Sequence, residues 1–195
     1  MSYERLRKIK KLYFGYEEIS RILGISPESA KVTAARFTKR GILIRLKRNF
    51  YVLAEKWDYL SKEKFFELAN IIQVPSYISL MSAMDYYNLT TQIQRVFFES
   101  IVFKRTKEFN VNNMCFNYTK ISKKLYFGFK KYKGFFIAEP EKAFLDAVYL
   151  MLLGRYHFDL TSMDLGKLDV YKLKKLAKEF PLNIEGWLKK NGYIK

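Results

Sequence analysis

Hydrophobic positions recur at helical spacing on both sides of a short turn near the N-terminus. Residues 16–23 and 27–37 place apolar side chains three or four positions apart, which is typical of amphipathic helices. Gly24 suits the left-handed conformation that ends a helix, and Ser26 followed by Pro27 is a helix start. Because the stop and start signals lie so close together, the pattern predicts a helix-turn-helix.

The second helix of this motif has two different faces. At about 100° per residue, Ala30, Ala34 and Phe37 share one side, where small residues allow close approach to the preceding helix. The opposite side mixes cations with the apolar Val32. A DNA major groove suits this mixture, because Lys and Arg reach guanine edges or phosphates while apolar groups contact thymine methyls; a solvated helical hairpin is the alternative. The candidate DNA-binding residues here are Ser29, Lys31, Val32, Arg36 and Lys39.

A β-hairpin with a basic tip is predicted directly after this helix. Residues 42–53 are rich in branched and aromatic side chains, interrupted by Lys47, Arg48 and Asn49. Asn49 tolerates a positive φ and therefore suits the turn. A helix-turn-helix followed by such a hairpin is a winged helix, whose wing lies against the flanking DNA backbone. The candidate wing contacts are Arg45, Lys47 and Arg48.

The segment before the helix-turn-helix is also basic. Leu6, Ile9 and Leu12 form one stripe, so residues 2–12 are predicted to be the first helix of the winged domain. Its polar side fits either phosphate contacts or a solvated face, and the sequence favours neither. The cations on that side are Arg5, Arg7, Lys8 and Lys11.

The rest of the chain predicts a mixed helical and strand domain. Helices are expected at 61–73, 79–87, 139–153, 169–179 and 184–190, and strands between 94 and 137. The fold class is therefore α+β: an N-terminal winged helix-turn-helix, then a mixed domain with an antiparallel sheet and flanking helices. The end of the hairpin at Leu53 and an exposed charged connector at 54–58 divide the chain into domains 1–55 and 56–195.

Basic and aromatic residues alternate through the strand-rich segment, and two interpretations stay open. The mixture resembles a platform for single-stranded nucleic acid. It also describes a sheet whose aromatic residues point inward and whose lysines protect the edges from unwanted pairing, and this second interpretation is favoured.

The charge points to a polyanionic partner. The net charge is +17, and residues 1–55 carry thirteen Lys and Arg against five Asp and Glu. Residues 56–137 carry thirteen against six, and residues 138–195 ten against eight. The excess therefore lies in the winged helix and the middle segment. Such a charge most commonly attracts nucleic acid, here double-stranded DNA, and an acidic protein partner is the main alternative.

Few residues have the character of catalytic or metal-binding groups. His157 and Cys115 are the only histidine and cysteine, so the usual zinc ligands are missing, and no phosphate-binding glycine loop occurs. Asp146, within an apolar stripe, is expected to satisfy a neighbouring backbone group. The sequence predicts no catalytic residue, metal or cofactor, and hence no enzyme. A single cysteine and the lack of a long apolar run predict a cytoplasmic protein outside the membrane.

Three stretches together resemble the AbiEi antitoxins of bacterial abortive-infection, or type IV, toxin–antitoxin systems. They are Gly41–Leu53, Tyr77–Leu89 and Ile137–Asp146, in this order and spacing. The resemblance spans nearly the whole chain, and the second and third stretches are its more specific parts. Asn49 and Asn88 depart from the pattern by standing where glycine is expected, although both tolerate turns.

The resemblance implies a division of labour. Domain 1–55 would be a winged helix that binds an operator, expected to contain inverted repeats, and represses its own operon. Domain 56–195 would be an α+β antitoxin domain that counteracts a nucleotidyltransferase toxin without needing a stable complex. Two alternatives remain: a winged-helix transcriptional regulator with a ligand-sensing C-terminal domain, and a basic RNA-binding protein that uses the middle segment.

Overall fold

The computed structural model describes residues 2–194 and divides them into two compact units. The first comprises the chain up to Phe65 together with Val111–Asn113, and the second comprises Phe66–Asn110 and the chain from Met114 onward. The α+β class is confirmed. The division after residue 55 stays a proposal about function.

The first unit is a winged helix. Helices α2 and α3 form the helix-turn-helix, and the antiparallel strands β1 and β2 form the wing, with Leu43 opposite Leu53. Backbone hydrogen bonds of 2.9 and 3.0 Å join Phe14 to Tyr51 and add a third short segment to the wing. Its elements are α1 Ser2–Leu6, α2 Tyr16–Leu23, α3 Pro27–Lys39, β1 Leu43–Lys47, β2 Phe50–Leu53 and α4 Ala54–Trp57.

The first helix is shorter than predicted. Helix α1 ends at Leu6, whereas the hydrophobic stripe predicts a helix to residue 12. Both Leu6 and Ile9 are buried in the core, as the stripe indicates, but the Ile9 carbonyl accepts a 2.7 Å hydrogen bond from Lys56 Nζ. A distant side chain therefore binds a carbonyl that a longer helix would use itself, and a local pattern does not reveal such a partner.

The expectation of an exposed connector at 54–58 is wrong. Residues Ala54–Trp57 form α4, and Trp57 is only 1% exposed. Its ring packs edge-on against Phe65 at 5.2 Å between centroids. Burial of so large an apolar side chain holds this segment on the first unit, although Glu55 and Asp58 at its surface suggest a linker.

The second unit is built around a six-stranded sheet with the order β5-β6-β4-β3-β8-β7. Its strands are β3 Tyr77–Ile78, β4 Phe97–Val102, β5 Lys107–Val111, β6 Met114–Lys120, β7 Phe129–Tyr132 and β8 Phe135–Ala138. The α-helices after α4 are α5 Lys62–Ile72, α6 Leu80–Tyr86, α7 Pro140–Leu152, α8 Val170–Ala177 and α9 Ile184–Lys190. These helices agree with the predicted ones to within about two residues at each end.

The sheet is mixed rather than wholly antiparallel. Strand β3 pairs antiparallel with β4, and β7 with β8, but β4 pairs parallel with β6 and β3 parallel with β8. Strand β6 lies between β5 and β4, so β4 meets the strand after next and not its immediate successor. Hydrophobic patterning locates strands but does not choose their neighbours, which explains this correction to the predicted antiparallel sheet.

Aromatic residues of the strand-rich segment point mostly into the second unit. Phe98, Phe116, Tyr118 and Phe135 are buried, while the lysines of β5, β6 and β7 are exposed or lie at strand ends. This arrangement agrees with the favoured interpretation of inward aromatic residues and lysines at the edges. The exceptions are few: on the β7–β8 hairpin, Tyr132 and Phe136 are about two-fifths exposed.

A buried ion pair lies inside the second unit. Lys142 and Asp146, one turn apart on α7, are both fully buried and bonded to each other. Tyr77 and Ser79 donate hydrogen bonds of 3.0 and 2.9 Å to the second carboxylate oxygen of Asp146. Burial lowers the pKa of the Lys142 ammonium and raises the pKa of the Asp146 carboxyl. The expectation that Asp146 satisfies a backbone group is therefore wrong, because its partners are side chains.

Glu99 is a second buried carboxyl in this unit. Its Oε2 accepts hydrogen bonds of 3.0 Å from the Met81 N–H and from the Tyr156 hydroxyl. Burial outweighs these bonds and raises the pKa of Glu99 to about 7. The folded chain therefore holds a proton on Glu99 to a higher pH than the unfolded chain does.

We expect Glu99 to make stability depend on pH. Since the folded pKa is raised, its contribution is lost as pH rises from about 4.5 to about 7, by roughly 1–3 kcal/mol. Glu99→Gln keeps a neutral hydrogen-bonding group, so it should match the wild type at pH 5 and exceed its unfolding free energy at pH 8. Urea unfolding of both proteins across this range measures the difference. A difference in unfolding free energy that does not change with pH would contradict the raised pKa of Glu99.

Candidate nucleic-acid interface

The turn between α2 and α3 forms as its local signals predict. Gly24 ends α2 in the left-handed conformation with φ 67°, and its N–H bonds to the Ser20 carbonyl. Ser26 caps α3 by accepting a 3.2 Å hydrogen bond from the Ser29 N–H, and Pro27 occupies the first helical turn. These contacts fix where α3 begins, and hence which of its side chains point outward.

Helix α3 has the two faces that the sequence predicts. Ala30, Ala34 and Phe37 are buried in the core of the first unit. Val32 is 69% exposed, although it is a large apolar residue. It lies on the arc that also carries other exposed side chains, namely Glu28, Ser29, Lys31, Ala35, Arg36 and Lys39. An apolar group among exposed cations is the combination that reads base edges in a major groove.

Several of these side chains are ordered by neighbours within the unit. Lys31 Nζ lies 5.1 Å from the centre of the Tyr16 ring, and the Arg36 guanidinium lies 5.7 Å from that of Phe37. The Ser29 hydroxyl accepts a 3.1 Å bond from the Ser26 hydroxyl. Ring contacts of this kind restrain long cationic side chains without neutralising them.

The wing presents Arg45, Lys47 and Arg48. Arg45 and Arg48 are exposed, on β1 and at the tip. Lys47 is half-buried, with its Nζ 4.4 Å from the centre of the Phe50 ring, and burial lowers its pKa from the ordinary value. The register shifts between Arg45 and Lys47, so the two cations are displaced from simple alternation along the strand.

Asn49 ties the wing to the start of α2. It adopts φ 62°, as predicted for a turn residue, and its Oδ1 accepts a 2.7 Å hydrogen bond from the Tyr16 N–H. Its Nδ2 donates to both carboxylate oxygens of Glu17 at 2.9 and 3.0 Å. Gly15, at the helix start, makes no side-chain cap, so Asn49 supplies one from 33 residues away. The sequence shows the turn but not this cap, because the two segments meet only in the fold.

Neither a metal-binding cluster nor a membrane-spanning helix is found in the described residues. Within residues 2–194, no group of three or more His, Cys, Asp or Glu side chains is arranged to hold a metal ion. Over the same range, every helix is too short or too polar to cross a membrane. Cys115 is a half-buried free cysteine, and burial raises the pKa of its thiol.

Comparison with protein families bears on the winged helix alone. A family described as "Transcriptional regulator, AbiEi antitoxin" matches residues 2–54, which include the helix-turn-helix and the wing. No curated protein gives a significant match to the chain. The stretches Tyr77–Leu89 and Ile137–Asp146 lie outside the matched residues, so their part of the resemblance stays a prediction. The resemblance is confirmed where it can be compared: residues 2–54 of this chain match the AbiEi antitoxin family of transcriptional regulators.

Proposed function

We propose that this protein is a DNA-binding antitoxin that represses its own operon and counteracts a nucleotidyltransferase toxin. One observation carries the DNA-binding half: α3 exposes Val32 between cations while its opposite face is buried. Val32 is exposed and does not belong to the core of the first unit. A thymine methyl would offer this apolar side chain a partner. The family match over residues 2–54 supports the same assignment.

The proposed contacts divide between base reading and backbone binding. Val32 and Arg36 would contact base edges, with Ser29, Lys31 and Lys39 beside them on α3. Arg45, Lys47 and Arg48 would bind flanking phosphates and fix the orientation of the domain. Two such domains on an inverted repeat would give a site with the symmetry of many bacterial operators.

The antitoxin half of the proposal assigns toxin relief to residues 56–195, in the cytoplasm where both proteins are made. The high positive charge of residues 56–137 supports this, because it suits an acidic toxin surface or competition for an anionic substrate. Neither mode needs a long-lived complex, so rescue of growth is a better readout than co-purification.

Separation of the two activities tests this proposal in the full-length chain. We expect Val32→Glu with Arg36→Ala to lose repression of a promoter reporter by at least about tenfold, since each true base contact contributes roughly 1–3 kcal/mol. The same variant should relieve the growth defect caused by the neighbouring toxin as well as the wild type does. Lys10→Gln, at an exposed position off α3, serves as the control. Loss of growth rescue by a folded variant would contradict the division.

A further inference from the structure

An open pocket lies between the first two helices of the winged helix. Its volume is about 450 Å³, and Arg5, Lys8, Arg21 and Ile22 line it. Arg5 belongs to α1, Lys8 lies two residues beyond the end of that helix, and Arg21 and Ile22 lie in the last turn of α2. Three cations from two separate elements therefore converge on one concavity, with an apolar wall at Ile22.

The neighbouring charges leave this pocket positive. Arg7 pairs with Glu55 at 2.9 Å, and Lys11 pairs with Glu18 at 3.1 Å. Glu18 also pairs with Arg21 at 2.5 Å, so one carboxylate serves two cations. The cations of the basic N-terminal segment therefore fall into two groups, of which Arg7 and Lys11 form the ion-paired one.

Arg5 and Lys8 form the second group. In the described part of the chain, no carboxylate lies within ion-pair distance of either side chain, although both face the pocket. Like charges held together in a concave site repel each other, and a bound anion relieves that repulsion. Arginine also matches tetrahedral oxyanions with two parallel hydrogen bonds.

We propose that Arg5, Lys8 and Arg21 form a binding site for a phosphate group. A doubly charged anion fits better than a single carboxylate, because three cations meet and, among the described residues, Glu18 alone pairs with one of them. The volume is within the range of small-ligand pockets, so it admits a phosphate with an attached sugar. The phosphate belongs either to the DNA backbone or to a free phosphorylated small molecule.

The residues that line the pocket lie on or beside α1 and on α2, not on α3, which is proposed to read bases. If the phosphate is on DNA, the pocket adds a backbone contact on α1 and α2, and this arm rests on the proposed DNA-binding function. If it is on a small molecule, the pocket is an effector site on the DNA-binding unit, and that arm stands without any operator.

Inorganic phosphate tests the site directly in the full-length protein. At constant ionic strength and about five times its Kd, phosphate should raise the Tm by roughly 2–4 °C relative to chloride. Arg5→Gln with Lys8→Gln should weaken phosphate binding at least about tenfold by calorimetry. Lys10→Gln with Lys178→Gln removes the same charge from exposed positions outside the pocket and should bind phosphate like the wild type.

The DNA arm compares the same two variants in salt titrations. If the pocket holds one backbone phosphate, Arg5→Gln with Lys8→Gln should reduce the slope of log K against log salt by about one unit, and the control should not. Loss of phosphate binding without a change in slope assigns the site to a free ligand. Equal phosphate affinity and equal slopes in both variants overturn the proposal. If the wild type does not bind DNA at all, the proposed DNA-binding function fails. The phosphate measurement still tests whether the pocket binds a phosphate group.

Discussion

We expect Asp146→Ala to lower the free energy of unfolding by about 3–5 kcal/mol. The substitution leaves the Lys142 ammonium in a fully buried position with no counter-charge. It also removes the acceptor of the Tyr77 and Ser79 hydroxyls. The ammonium lies 5.1–5.5 Å from the ring centres of Tyr77, Phe127 and Phe180, and these contacts do not replace a carboxylate.

An exposed pair of the same spacing provides the control. Glu185 and Lys189 are also four residues apart on one helix and bond at 3.3 Å, but both are partly exposed. Glu185→Ala should change the unfolding free energy by only about 0.2–1 kcal/mol. Urea unfolding at pH 7 compares the two variants. Equal losses would show that burial of the Lys142–Asp146 pair has no energetic consequence.

Replacement of both partners separates the charge from the packing. Lys142→Met with Asp146→Leu leaves no uncompensated charge, so it should recover part of the loss of the single variant. Recovery should be incomplete because the Tyr77 and Ser79 hydroxyls still lack an acceptor. A double variant less stable than Asp146→Ala would contradict this explanation.

Lys142 also explains why residue 128 is a glycine, because a Cβ at this position would lie 2.9 Å from Lys142 Cγ.

Local signals predicted the part of the fold that carries the candidate site. Gly24, Ser26 and Pro27 act within a few residues of themselves, so the ends of α2 and α3 could be predicted without knowledge of the fold. The outward arc of α3 follows from helical periodicity once its start is fixed. Asn49 and Asn88 adopt φ of 62° and 54°, as their substitution for glycine in the resemblance requires.

Contacts between distant segments could not be predicted in the same way. Two of these contacts join residues far apart in sequence: the cap that Asn49 gives α2 and the bond from Lys56 to Ile9. The burial of Trp57 was not predicted because this residue lies in a polar stretch. The order of strands in the sheet likewise depends on contacts between segments that are distant in sequence. An apolar or charged pattern states that a side chain needs a partner, but only the fold selects that partner.

The second large effect that we expect separates the recognition helix from the wing. Val32→Ala with Arg36→Ala should remove roughly 2–6 kcal/mol of preference for the operator over unrelated DNA, because each base contact contributes about 1–3 kcal/mol. Affinity for unrelated DNA should fall much less. Both side chains are exposed, so the fold should not change.

The wing should behave differently because its proposed partners are phosphates. Lys47→Gln with Arg48→Gln should weaken binding to every DNA sequence by a similar factor. The slope of log K against log salt should fall by about one unit for each lost contact. The preference for the operator should stay close to that of the wild type, since phosphate contacts carry no sequence information.

The most direct measurement is therefore the ratio of operator to unrelated-DNA affinity, taken across a salt series for the wild type and both double variants. The proposed interface predicts that the α3 variant loses the ratio while its salt slope falls by no more than about one unit. It predicts that the wing variant keeps the ratio and loses slope. If the α3 variant instead weakens binding to all DNA equally and keeps the wild-type ratio, α3 is not the recognition helix.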